Sequence, residues 1–330
     1  MKKFMVVYGL IGIILVVLLI CFSNAELPEI NQALYNRAYQ LSDRVTEEIW
    51  PGYEFKSYPV AIRRGNTDYM FHADKYSKRE AILPIIAATA YKHEGEINIF
   101  MPSKLDMDSL GQIAEGFSES QEQFFITGFT IDQKGISDNR YIAILFHEGL
   151  HAYQLEYFED NLFGTLSGDA DENEEVLHLV DTDTTIKNLY ARENEALVDL
   201  IQLQDKGELK EKISRYLTIR EERMQVFQQT FGDGKANLLT MLENYYEKVE
   251  GTARYTEAQT AKLLGDEELY REYIQSLQVS MDGKEKYYRS GMAMCLIFDE
   301  LNTLWKEEVF STPDSMYELL TEHWRVLDEQ

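Results

Sequence analysis

The sequence is poor in cysteine and proline, with two and six in 330 residues, and it has no Pro/Ser-rich linker, low-complexity tract or internal repeat. Cys21 lies in the leading apolar run and Cys295 far from it, so there is no disulfide framework and the fold must rest on its core. Positive charge is also scarce: 32 Lys and Arg against 57 Asp and Glu leave a net charge of −25. A surface that negative repels phosphate backbones and anionic headgroups, which excludes nucleic acid as a partner. What remains is ordinary for a globular chain, with 45% hydrophobic and 27% charged residues. Cys295 sits in the apolar run Met292–Phe298 and reads as a small buried hydrophobe, not a nucleophile.

The N-terminus is a segment apart. Lys2 and Lys3 precede an unbroken apolar run from Phe4 to Phe22, followed by Ser23-Asn24-Ala25. A charged start, an apolar stretch and small residues describe an export signal cleaved after Ala25. The run is also long enough to approach a membrane-spanning helix, which makes residues 1–25 an uncleaved anchor instead. Both readings leave the lysines in the cytoplasm and translocate the body, so the protein is expected outside the cytoplasm, secreted or attached to the membrane through residues 4–22. A lipoprotein signal at Leu18–Cys21 fits poorly, because bulky Ile20 stands where a small residue belongs.

From Leu27 to Trp50, apolar residues at Leu34, Ala38, Leu41, Val45 and Ile49 recur at threes and fours and predict a helix stopped by Pro51-Gly52. Tyr58–Ile62, Tyr69–His72, Glu96–Met101 and Phe124–Ile131 are short β-branched and aromatic runs that predict strands of a small sheet, with an apolar helix around Ala81–Tyr91 among them. After Ser137 the pattern is helical to the end, interrupted by a loop at Gly164–Asn173 and a break at Gly232-Asp233-Gly234. The acidic run Asp169–Glu175 is expected to be a solvated loop, without the spaced oxygen ligands of a calcium site. The simplest account is one α+β domain, mainly α, over residues 26–330, with the sheet first and the helices after.

Histidine is rare, yet two of the six fall in His147-Glu148-Gly149-Leu150-His151. On a helix the four-residue spacing places both imidazoles on one face, where they can share a cation, and Glu148 leans toward the same face. Ile142, Ile144, Leu145, Phe146 and Leu150 would bury that helix and hold the ligands rigidly. A catalytic zinc ion takes three protein ligands and leaves a position open. Two downstream carboxylates compete for the third place: Glu195 in Asn194–Asp199 and Glu250 in Val249–Glu257, both at helical periodicity. His72, His93, His178 and His323 stand alone, without ligand spacing.

His147–His151, followed by Glu-Gly-x-Ala-x-Tyr-x-Glu at Glu250–Glu257 and Tyr-x-x-Gly at Tyr288–Gly291, resembles the motif order of the aminopeptidase N family of gluzincins. The wider pattern is similar to bacterial exported proteins with His-Glu-x-x-His-x-x-Gln, completed here by Gln154, and with a Tyr-x-x-Gly that runs into an apolar helix ending in Asp, here Leu296–Asp299. The resemblance implies a zincin-like metallopeptidase domain with one zinc ion per chain on His147, His151 and Glu250. It also implies Glu148 as general base, Tyr288 as donor to the oxyanion and a peptide as substrate. Tyr287 competes for the role of Tyr288, and Tyr255 is placed to line the site. The spacing from His151 to Glu250 is longer than in that family, and no Gly-x-Met-Glu-Asn motif precedes the helix, so aminopeptidase specificity does not carry over. A thermolysin-like arrangement would instead use Glu195 as ligand, with Asp199 behind a histidine.

Three functions are compatible with these residues. The leading one is an exported or membrane-anchored zinc metallopeptidase, with one of the strands, such as Phe124–Ile131, holding an extended peptide by edge pairing. The others are a catalytically silent metal-binding interaction module and a zinc amidase or esterase acting on a non-peptide envelope substrate.

Overall fold

Leu34, Ala38, Val45 and Ile49 form a buried stripe, and burying it favours a helix near the start of the described residues. That helix, α1 (Glu29–Arg44), widens into a π-turn at Val45–Ile49 before Pro51 and Gly52 end it. The computed structural model describes residues 26–73, 75–82, 87–109, 136–162, 170–203, 206–278, 283–301 and 304–329. The expected export signal or anchor (residues 1–25) and the expected strand Phe124–Ile131 lie outside them. Among the described residues no helix is long and apolar enough to cross a membrane. The chain divides into two compact units, Met1–Leu155 and Glu156–Gln330.

In the first unit, five strands follow α1: β1 (Val60–Arg64), β2 (Thr67–His72), β3 (Lys75–Glu80), β4 (Thr89–His93) and β5 (Glu96–Pro102). They form one sheet in the order β3-β2-β1-β5-β4, with β1 and β5 parallel at its centre and the other pairs antiparallel. The expected helix around Ala81–Tyr91 is corrected here. Thr89–Tyr91 belong to β4 and pair with Asn98–Phe100 of β5. The deciding signal is the two-residue turn Glu94-Gly95, both residues at positive φ, which closes a tight hairpin and pulls the segment before it into the sheet. The edge strand β3 exposes Lys75, Lys78 and Glu80, charges that discourage edge-to-edge pairing with another chain. Residues 104–109 are helical, and α2 (Asp138–Tyr157) begins the helical part of the chain.

The second unit is helical throughout its described residues. Its longer helices are α3 (Ala170–Thr182), α4 (Thr184–Ile201), α5 (Leu209–Phe231), α6 (Asp233–Tyr246), α7 (Thr252–Leu263), α8 (Glu267–Ser276), α9 (Glu285–Leu301) and α10 (Met316–Glu329). The loop expected through Asn173 is corrected: the chain is helical from Ala170, and Asp171 and Glu172 occupy the first turn, where the helix dipole favours carboxylates. Asp183 caps α4 by accepting from the backbone N–H groups of Thr185 and Ile186 at 2.9 and 3.0 Å. The expected break at residues 232–234 is present, with Gly232 at φ 86° separating α5 from α6. Between α6 and α7 the backbone never leaves the right-handed helical region. Glu247–Gly251 forms a π-turn there, so Asp233–Leu263 is one helix carrying a single wide turn.

Val180, Ile186, Phe227, Leu242 and Tyr287 form an apolar cluster between α3, α4, α5, α6 and α9. Each side chain of this kind contributes about 1.5–3 kcal/mol when fully buried. Cys295 is fully buried and unpaired, and burial pushes its thiol pKa up, as expected of a core residue and not of a nucleophile. The architecture is α+β and mainly α, with one small sheet followed by helices.

Candidate metal centre

The helix α2 is buried from Tyr141 to Leu150, and its neighbours in the first unit explain how it is held. The Tyr141 hydroxyl donates to the Pro102 carbonyl at the end of β5 at 2.9 Å. Phe146 packs on Phe55 with ring centroids 4.9 Å apart. Gly149 lies against the side chain of Tyr53. A Cβ there would meet the Tyr53 hydroxyl and lie 3.0 Å from its Cζ, so a larger residue would have to push the buried Tyr53 ring aside. At about 100° per residue, Gly149 lies on the opposite side of the helix from His147 and His151. The close approach on that side therefore anchors the ligands on the other.

His147 is 4% exposed, and its Nε2 lies 3.2 Å from Nε2 of His151. Metal–nitrogen bonds of 2.0–2.1 Å in a tetrahedron put two ligating nitrogens about 3.3 Å apart, so the pair already has the spacing one zinc ion requires. The tautomer fits as well. The 2.8 Å contact between Gln154 Oε1 and His151 Nδ1 suits the neutral tautomer with its proton on Nδ1, the form that offers Nε2 to a metal ion. Gln154 is fully buried, which fixes this orientation. Replacing Gln154 by Leu keeps the volume and removes the acceptor. Metal affinity is expected to fall about 10–100-fold, read by competition with a chromophoric chelator, with the melting temperature close to that of the parent.

Among the described residues one group of donor atoms is arranged to hold a metal ion: His147, His151 and Glu250, all within 4.8 Å of one another. Glu195 is not in it. It is exposed on α4, and Asp199 pairs with Arg215 at 3.1 Å on an exposed surface, which leaves the thermolysin-like alternative without its third ligand and without the carboxylate behind a histidine. Glu148 is 4% exposed and follows His147 on the same helix.

Glu250 stands on the π-turn, and the two glycines of the downstream motifs explain how that turn is seated in the second unit. A Cβ at Gly251 would lie 2.5 Å from Gly291 Cα, and one at Gly291 would overlap the Glu247 carbonyl oxygen and lie 2.8 Å from Gly251 Cα. Only glycine at both positions lets the π-turn and α9 touch backbone to backbone. Glu-Gly and Tyr-x-x-Gly are therefore one contact seen from its two sides, and it brings Glu250 near Tyr288. Tyr288 is 5% exposed, and burial, then the charges of Glu250 and Glu285, raise its pKa far above the ordinary value. The hydroxyl consequently keeps its proton and serves as a hydrogen-bond donor. Tyr287 points into the core instead, within 3.1 Å of the Tyr190 hydroxyl, and Tyr255 donates to Asp299 at 2.6 Å; neither is placed as Tyr288 is.

Behind the π-turn is a buried ionic network that sequence reasoning passed over. Arg220 of α5 holds both oxygens of Glu247 at 2.7 and 2.8 Å, and Ser290 of α9 donates to the same carboxylate at 2.8 Å. Arg223 bridges Glu193 of α4 at 2.6 Å and Glu243 of α6 at 2.7 Å, and Tyr190 donates to Glu243. Three carboxylates thus face two guanidiniums. Burial acts to raise both Glu243 and Glu247; Arg223 and Arg220 outweigh it at Glu243, which is lowered, while Glu247 stays above the usual carboxylate range. Removing one partner from such a cluster leaves an uncompensated buried charge, at about 3–5 kcal/mol. The signal in the sequence was Arg220 and Arg223 one turn apart opposite Glu243 and Glu247 one turn apart, a pattern shared with ordinary solvated helix faces.

Of the other histidines, His93 and His323 sit beside Glu94 and Glu308, at 4.0 and 3.4 Å, and none joins a metal-holding group among the described residues. No protein-family model, curated protein or solved structure matches the chain.

Proposed function

We propose that this protein is a zinc metallopeptidase of zincin-like fold, exported or membrane-anchored through its N-terminal apolar run, which hydrolyses peptide bonds. The observation that carries the reading is the convergence of His147, His151 and Glu250, with Gln154 Oε1 2.8 Å from His151 Nδ1, on the side of the ring away from Nε2. His147, His151 and Glu250 hold the ion and Glu148 acts as general base, while Tyr288 donates to the developing oxyanion. Bound zinc supplies Lewis acidity, making water acidic enough to deprotonate near neutral pH and polarising a carbonyl. Glu148 takes the proton of the attacking water and passes it to the departing amine. The buried Tyr288 hydroxyl contributes a preorganised hydrogen bond, a type of interaction typically worth ~3 kcal/mol in the transition state.

The test is metal content. Purified protein supplied with zinc is expected to carry about one ion per chain, as a three-ligand site with an open position requires. Glu250→Ala should lose it, and Glu195→Ala should keep it. Retention by the first variant and loss by the second would transfer the third ligand to Glu195; absence of zinc from the parent would overturn the reading altogether. Hydrolysis of a quenched fluorescent peptide library, abolished by chelator and restored by zinc, checks the activity.

A further inference from the structure

Next to Glu250 the second unit presents an aromatic wall. Tyr245 and Tyr246 end α6 and are half-buried, with ring centroids 5.2 Å apart, and Tyr246 lies 5.9 Å from Tyr288. The Glu250 charge acts on all three hydroxyls, adding to burial in raising their pKa values, so the three rings border the same carboxylate. Over two of these rings stands an ammonium group: Lys284 Nζ is 5.8 Å from the Tyr246 centroid and 5.9 Å from that of Tyr288. The other cations nearby are committed. Lys286 pairs with Asp181, Arg254 with Glu257 and Glu285, and Arg289 donates to the Ser276 carbonyl. Lys284 is exposed and pairs with no carboxylate among the described residues, in a chain that carries 57 acidic residues.

We propose that Lys284, with Tyr245, Tyr246 and Tyr288, forms a substrate subsite that selects a carboxylate, an inference that rests on the metallopeptidase reading. A surface at −25 repels acidic peptides, so accepting one needs a local cation whose charge is not already neutralised. Among the described residues Lys284 meets that need, beside the tyrosine proposed to bind the oxyanion. The rings remove water from one side of the ammonium and leave its donors for a ligand. Lys284 also directly precedes α9, whose N-terminal dipole favours an anion at the same place. The carboxylate can belong to an acidic side chain or to the free C-terminus of a peptide; both present the same group to the lysine.

Zinc-loaded full-length protein and its Lys284→Ala and Lys284→Glu variants would be titrated by calorimetry with two pairs of peptide hydroxamates, which anchor on the metal. One pair differs only in a free against an amidated C-terminus. The other, amidated in both members, differs only in Glu against Gln. The parent is expected to prefer the carboxylate member of at least one pair about tenfold, as a charge-assisted hydrogen bond supplies. The preference disappears in Lys284→Ala and reverses in Lys284→Glu, with zinc content and melting temperature unchanged. The pair that shows it identifies the source of the carboxylate. Equal affinities within both pairs in all three proteins would overturn the subsite and leave the metal reading standing, whereas failure of every hydroxamate to bind would overturn both.

Discussion

Glu148→Gln is expected to retain about one zinc ion per chain and to lose peptide hydrolysis by about 10²–10⁴-fold, the usual contribution of a positioned general base. The expectation follows from the separation of tasks on α2. His147 and His151 present their Nε2 atoms to each other and would hold the ion, while Glu148, one residue on, is rotated about 100° from His147 and about 60° from His151. A glutamine there has the same shape and fits the same buried space, but it cannot accept a proton. The pair of measurements is metal content and kcat on the same preparation. Full activity in a zinc-loaded variant would remove Glu148 from the mechanism, and loss of zinc along with activity would make it a structural residue.

Gly291→Ala should do comparable damage by a different route, without touching a ligand. The added methyl would lie 2.9 Å from Glu247 Cα and 2.8 Å from Gly251 Cα and would overlap the Glu247 carbonyl oxygen; all three are backbone atoms that cannot rotate away. The two segments must separate. Overpacking of this kind costs about 1–3 kcal/mol of stability. Because Glu250 stands on the displaced turn, metal affinity should fall by about tenfold or more, since ligand sets tolerate errors of only about 0.5 Å. Chemical denaturation and zinc competition, measured together, check both parts. A variant with parental affinity and stability would show that the contact does not seat Glu250.

The helix that carries His147 and His151 was legible in the sequence because its signal is local. His147 and His151 need only helical spacing, and the apolar residues around them announce the burial that the structure shows. Glu250 was legible only as one of two candidates, since the choice between it and Glu195 depends on which turn packs against which, and no periodicity encodes that. Thr89–His93 was misread because its few residues carry apolar and aromatic character without length, and a short run of that kind is claimed by whichever partner strand is available. The Arg220 and Arg223 network stayed hidden for a related reason. Charged residues one turn apart describe a solvated face as well as a buried one, and only burial of Arg223 at 0% exposure separates the two.

The wide turn at Glu247–Gly251 has a consequence for how this region tolerates insertions and deletions. A π-turn holds one residue more than the α-turn it replaces, so the helix Asp233–Leu263 carries a single residue of slack at its middle. Removing that residue would close the turn to an α-helix with the segments on either side still in phase, whereas closing it with every residue kept would turn everything beyond it by about 100° relative to Glu243 and Glu247, which are clamped by arginines. In that case Arg254 would swing off Glu285 and Gly251 would leave the Gly291 contact. The helix therefore serves two neighbours, the ionic cluster before the turn and Gly291 beyond it, and the wide turn keeps both in register.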